Sequence, residues 1–189
     1  EISMEIGEKY GVALMSGNIG TLNTMLGNYN EALNNFNKAL NLSNKLGLES
    51  YSVRLYSYLV ELYIKFHKYK KAIENNDLLL AISSKLNDLE CVRKSQIYKI
   101  KVKFNYLDKK NIDKLESVKS LEKIVKESKD EEVKAQLNYE IVKMYAEINK
   151  IDKAKEYSKV AVKLLKKLYK KKPKIIYKNY FEELESMKF

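Results

Sequence analysis

Apolar residues recur along this chain at steps of three, four and seven, the spacing that gathers side chains on one face of an α-helix. The stripes fall in pairs, and the pairs repeat. LGNYNEALNNFNKAL (26–40) aligns without a gap on FHKYKKAIENNDLLL (66–80), at an offset of 40. INKIDKAKEYSKVAV (148–162) follows after 82 more, or two further periods. The member between them is LDKKNIDKLESVKSLEK (107–123), which fits if its turn is two residues longer. Self-similarity at such a period is the mark of a repeat array.

Each unit reads as helix–turn–helix. The last apolar residue before each turn is Leu26, Phe66, Leu107 or Ile148, and seven residues earlier stand Ile19, Leu59, Ile100 and Ile141. Between them lie Asn23, Tyr63, Phe104 and Tyr145. After the turn come Tyr29, Tyr69, Ile112 and Ile151, then Ala32, Ala72, Leu115 and Ala154. A bulky residue followed three places on by alanine suits antiparallel helices in close contact, because the small side chain lets the backbones approach. The residue after each first helix is Gly27, His67, Asp108 or Asn149, types that tolerate the left-handed conformation in which helices often end. This makes His67 a helix C-cap rather than a ligand or base.

The pattern predicts first helices over 10–26, 50–66, 91–107 and 132–148, and second helices over 30–46, 70–86, 112–128 and 152–171. The linkers are GLES (47–50), NDLE (87–90) and SKDEE (128–132), with Asp130 as an N-cap. The repeat domain then covers 10–172, in units of about 10–49, 50–90, 91–130 and 131–172. Residues 1–9 read as the remnant of a preceding helix. Pro173 interrupts the chain, and the segment 173–189 holds a last helix from about 174 to 187. Its Ile175, Ile176, Tyr180, Phe181 and Leu184 are expected to cover the open apolar end of the array.

Composition supports this reading. One proline and six glycines in 189 residues, with every glycine at or before Gly47, leave few helix breakers. No apolar run approaches the roughly 20 residues of a membrane span. A lone cysteine, Cys91, excludes an internal disulfide and fits a reducing cytoplasm. The net charge of +11 is lopsided: residues 1–90 carry nine Lys/Arg and ten Asp/Glu, residues 91–189 carry 27 and 15. Only Arg54 and Arg93 are arginine, the residue that reads phosphates and guanine edges best. The basic half therefore reads as solvated lysine on helix faces, with direct nucleic-acid binding a lesser alternative. One histidine, no zinc spacing, no phosphate loop and no nucleophile elbow give the expectation of a non-enzyme without metal or cofactor. Cys91 opens a predicted helix, where a thiol's pKa can fall, yet has no histidine near it in sequence.

The unit NIGTLNTMLGNYNEALNNFNKAL (18–40) resembles the tetratricopeptide repeat, with Ile19, Gly20, Gly27, Tyr29, Ala32, Phe36 and Ala39 at the family's hallmark positions. Leu59, Tyr63, Tyr69 and Ala72 match in the second unit, and Ile141, Tyr145, Ala154 and Ala161 in the fourth. The third unit departs, with Lys101, Leu115 and Glu122 in place of small residues. The period of 40–41 is similar to that of long-repeat bacterial regulatory members.

The resemblance implies an all-α, right-handed superhelix of about four antiparallel hairpins with a C-terminal capping helix, its first helices lining a concave face that binds a peptide or protein partner. Carried over column by column, the groove residues are Leu14, Asn18, Thr21 and Met25; Arg54, Tyr58, Glu61 and Lys65; Tyr98, Val102, Asn105 and Tyr106; and Tyr139, Lys143 and Glu147. Tyr98, Val102 and Tyr106 form a second stripe on their helix, open to two readings: a buried contact with the neighbouring unit, or an aromatic floor for a ligand. The family's clamp for a terminal carboxylate is not expected, since Gly17, Thr21, Tyr58 and Ser95 occupy its positions and only Lys99 fits.

The expected function is a binding scaffold. An alternative is the ligand-sensing C-terminal part of a cytoplasmic transcription regulator, since the chain opens on Glu1 and reads as the end of something longer. Self-association is a further expectation, because a first repeat without a predecessor leaves apolar groups exposed.

Overall fold

The computed structural model describes residues 2–107 and 111–187. Among them the fold is all-α: nine α-helices pack consecutively in neighbouring pairs, with no strand. The chain divides into two compact units, Glu1–Val102 and Lys103–Phe189. The first holds α1 (Ile2–Leu26), α2 (Tyr29–Lys45), α3 (Glu49–Lys65), α4 (Tyr69–Lys85) and α5 (Leu89–Val102). The second opens with a π-helical turn (Lys103–Leu107) and continues with α6 (Asn111–Glu127), α7 (Glu131–Glu147), α8 (Ile151–Lys171) and α9 (Ile175–Ser186). Apart from the start of α1 and the end of α5, each boundary falls within about two residues of its predicted place.

Five helices, α1 to α4 and α7, end where one residue adopts positive φ: Gly27 (84°), Gly47 (66°), His67 (56°), Asn87 (53°) and Asn149 (58°). Around each the same two backbone bonds close the helix. The N–H just past the left-handed residue reaches back five places, in Asn28→Asn23, Leu48→Ser43, Lys68→Tyr63, Asp88→Ser83 and Lys150→Tyr145, at 2.8–2.9 Å. The left-handed residue's own N–H donates to the carbonyl three places back, at 3.1–3.3 Å. These pairs satisfy carbonyls that a helix end otherwise leaves without partners. In the first unit the device recurs at an even step, at positions 27, 47, 67 and 87. The corresponding position Asp108 and the remainder of its turn lie outside the described residues. The turn into α7 is built differently, with Asp130 Oδ1 accepting from the N–H groups of Glu132 (2.8 Å) and Val133 (3.3 Å).

Small residues set how closely the hairpins pack. Ala32, Ala39, Ala72, Ala154 and Ala161 are fully buried. A Cβ on Gly20 would stand 2.6 Å from the Phe36 ring, so α1 and α2 meet at a distance only glycine allows. In the third repeat, where glutamate replaces a small residue, Glu122 reaches the hydroxyl of Tyr145, which donates to its Oε1 at 2.6 Å.

Three features differ from the sequence-based expectation. Ile2–Leu26 is one continuous helix, so residues 2–9 extend α1 rather than form a separate remnant; neither Gly7 nor Gly11 breaks it. In the capping helix the deeply buried residues are Tyr177 and Leu184, whereas Ile175 is exposed and Ile176, Tyr180 and Phe181 are half-buried. The third first-helix carries one extra residue. α5 starts at Leu89, an offset of 40 from the start of α3 at Glu49, yet Phe104 stands at an offset of 41 from Tyr63, the residue it matches. A π-helical turn absorbs one residue, and the π turn begins at Lys103, where the offset changes. Upstream of it the offset of 40 applies, which pairs Val102 with Leu62 and Ile100 with Val60.

Gly47→Ala is expected to lower the unfolding free energy by about 1 kcal/mol, since a Cβ there meets no neighbour and the left-handed backbone is the only penalty. Gly11→Ala, equally unobstructed but helical, is expected to raise it by roughly 0.5–1 kcal/mol. Urea unfolding followed by far-UV circular dichroism distinguishes the two signs.

Candidate functional site

Within the first unit, Tyr51, Arg54, Tyr58, Glu61 and Lys65 run along α3 at alternating steps of three and four, so they share one helical face. Tyr51 Oη donates to the Ala13 carbonyl of α1 at 3.2 Å. The hydroxyl fits because Gly17 has no side chain; a Cβ there would collide with it. Tyr58 stacks on Phe36 of α2, centroids 5.7 Å apart. Lys65 Nζ donates to the Thr24 carbonyl at 2.5 Å, placing a cation on the C-terminal turn of α1, where the helix dipole favours it. Thr21 donates its hydroxyl to the Gly17 carbonyl (3.1 Å), which spends that group on its own helix.

Tyr98 and Val102 are buried against this layer. Tyr98 Oη donates to Glu61 Oε1 at 2.5 Å and accepts from Ser57 Oγ at 2.8 Å. Burial first, and the Glu61 carboxylate second, hold the phenol far above its ordinary pKa. Tyr98 thus bridges α5 to two successive turns of α3, the buried-contact arrangement of its stripe.

What the packing leaves unspent is smaller than the predicted groove. Among the described residues, neither exposed Arg54 nor exposed Asn18 has a hydrogen bond or ion pair, and the Tyr58 hydroxyl has no hydrogen bond. Arg54, Tyr58 and exposed Tyr10 all lie near enough to Tyr51 to bear on its ionisation, which burial chiefly raises. Tyr10 and Tyr51 were not among the residues singled out by sequence. Tyr51 was readable as the next step of the Arg54–Tyr58 stripe. Leu14 on α1 is half-buried and Met25 exposed.

In the second unit α9 engages two of the predicted groove positions of α7, Tyr139 and Lys143. The ring of buried Tyr139 stacks on Tyr180 (centroids 4.1 Å apart, 16° between planes), and its hydroxyl donates to Glu183 Oε2 at 2.5 Å. Lys143 Nζ lies 3.6 Å from Glu183 Oε1 and 5.2 Å from the Tyr139 ring centroid. Burial, then Glu183, pushes the Tyr139 pKa up. Glu147 accepts from Lys114 at 2.5 Å. Asn105 is exposed and Tyr106 half-buried, both in the π turn.

The other chemical candidates resolve simply. Cys91 is half-buried; burial and the neighbouring Asp88 push its thiol up to about 11, away from nucleophilic character. His67 is exposed, with Nδ1 2.7 Å from Tyr69 Oη. No group of three His, Cys, Asp or Glu side chains that could hold a metal occurs among the described residues, and no described helix is long and apolar enough to cross a membrane. Many lysines of the second unit stand beside carboxylates, among them Lys166–Glu185, Lys167–Glu131 and Lys174–Glu132, so its positive charge is interleaved with negative. The chain matches no protein-family model and no curated protein.

The raised tyrosine pKa values have a pH signature. A neutral phenol is what the fold buries, so Tyr98 contributes stability that is complete below about pH 10, the unfolded value, and is lost as pH climbs beyond it. Tyr98→Phe is expected to cost about 1 kcal/mol at neutral pH and to make stability fall less steeply above about pH 10. Urea midpoints of both proteins across that range measure the difference.

Proposed function

We propose that the chain is a tetratricopeptide-type binding scaffold of the cytoplasm, not an enzyme, and that its partner is a peptide or an extended protein segment carrying a carboxylate. The observation that carries this reading is the group Asn18, Arg54 and Tyr58, whose polar ends stay unused in a layer where Thr21, Glu61, Lys65 and Tyr98 are engaged. Arg54 supplies a planar cationic fork for the carboxylate. Tyr58, Tyr51 and Tyr10 supply broad faces with polar tips. Asn18 both donates to and accepts from a peptide backbone.

Peptides selected on the chain from a displayed library are the probe. Arg54→Ala is expected to weaken them by at least about tenfold, the loss of one charge-assisted contact, and Tyr58→Ala by a similar factor. Lys68→Ala, in the exposed turn before α4, should leave affinity unchanged. Failure to select any peptide, or affinities indifferent to both substitutions, contradicts the reading.

A further inference from the structure

α1 presents an apolar face that no described helix covers fully. Val12, Met15, Ile19, Leu22 and Leu26 follow one another at steps of three and four, and each is 39–66% exposed. The repeat shows what this column does elsewhere. Met15, Ile19 and Leu22 match Leu55, Leu59 and Leu62 one period on, and Leu137, Ile141 and Met144 two periods beyond those. All six of those are buried to 6% exposure or less. In α3 and α7 the column is therefore a helix-packing surface, and in α1 the same surface meets water.

We propose that this face of α1 pairs antiparallel with the same face of a second copy of the chain, with Ile19 on the two-fold axis. Alternating steps of three and four make a straight seam of the kind that joins helix to helix. With Met25 beside it, the seam leaves on the order of 600 Å² of apolar surface in water, the upper end for a monomer. Two such faces bring on the order of 1,200 Å² together, which is what a specific dimer needs. The segment Tyr10–Leu26 also carries no charge at all, in a chain that is 32% charged. A two-fold interface is self-complementary and the core of such a patch is depleted of charge, so an uncharged segment suits it. Direction follows from the ends. A parallel pair would bring Glu5 and Glu8 against their own copies, whereas an antiparallel pair places Val12 opposite Leu26 and keeps these carboxylates apart.

Sedimentation equilibrium of the chain at tens of micromolar is expected to return a dimer. Met15→Glu with Leu22→Glu, both at exposed positions, should halve the mass while the far-UV spectrum stays unchanged. In a Cys91→Ser background, Ile19→Cys should oxidise to a covalent dimer and Val12→Cys should not. A monomeric wild-type chain overturns the proposal and leaves the face to a helix of the α2 kind. A dimer that survives the double substitution overturns the choice of face. Cross-linking through Val12→Cys, with or without cross-linking through Ile19→Cys, overturns the antiparallel arrangement.

Discussion

At Gly27, Gly47, His67 and Asn87 the backbone turns left-handed, and each time the same pair of hydrogen bonds closes the preceding helix. The even step between these positions makes α2, α3 and α4 equal in length. Equal helices joined by equal turns return each face to the same angle, so one set of small residues serves every hairpin: Ala32 and Ala72 occupy the same place and are both fully buried. The apolar stripes supply most of the driving force for burial, but the turns decide which residues the stripes meet. A left-handed residue costs little at glycine and more at His67 or Asn87, and the chain accepts that cost to keep the spacing.

Helix boundaries were legible in sequence because the turn residues were. Gly27, His67 and Asn149 were recognisable as helix ends from residue type alone. Gly47 and Asn87, the same device at the ends of the second helices, were hidden inside what read as polar linkers. The single inserted residue in the third repeat was hidden for a different reason. Aligning that repeat on its turn imposes an offset of 41 on the whole helix, whereas the start of α5 keeps 40 and the π turn at Lys103 takes up the difference. One residue is about 100° around a helix. That rotation explains why Val102, read as part of a second stripe, is packed inward: it takes the place of buried Leu62 rather than of exposed Glu61.

The candidate site was less legible than the fold, and the reason is the dual nature of tyrosine and glutamate at a helix surface. Tyr58 and Tyr98 occupy equivalent places in successive repeats, yet Tyr98 is buried with its hydroxyl bonded to Ser57 and Glu61, while Tyr58 keeps its hydroxyl unused. Sequence places both on the same face of their helices; only the neighbours decide which is consumed. The same holds at Tyr139 and Lys143, which lie at the expected positions on α7 but are engaged by Tyr180 and Glu183 of α9. The capping helix was predictable from the need to cover an open end. That it would do so with a stacked tyrosine and a carboxylate was not, because no periodicity links residues 139 and 183.

The turns are the part of this account most directly open to measurement. Backbone scalar couplings and Cα chemical shifts from solution NMR report the sign of φ residue by residue. The account predicts left-handed values at Gly27, Gly47, His67, Asn87 and Asn149, with helical values on the N-terminal side of each. Negative φ at His67 and Asn87, with helix running on through either position, would contradict it.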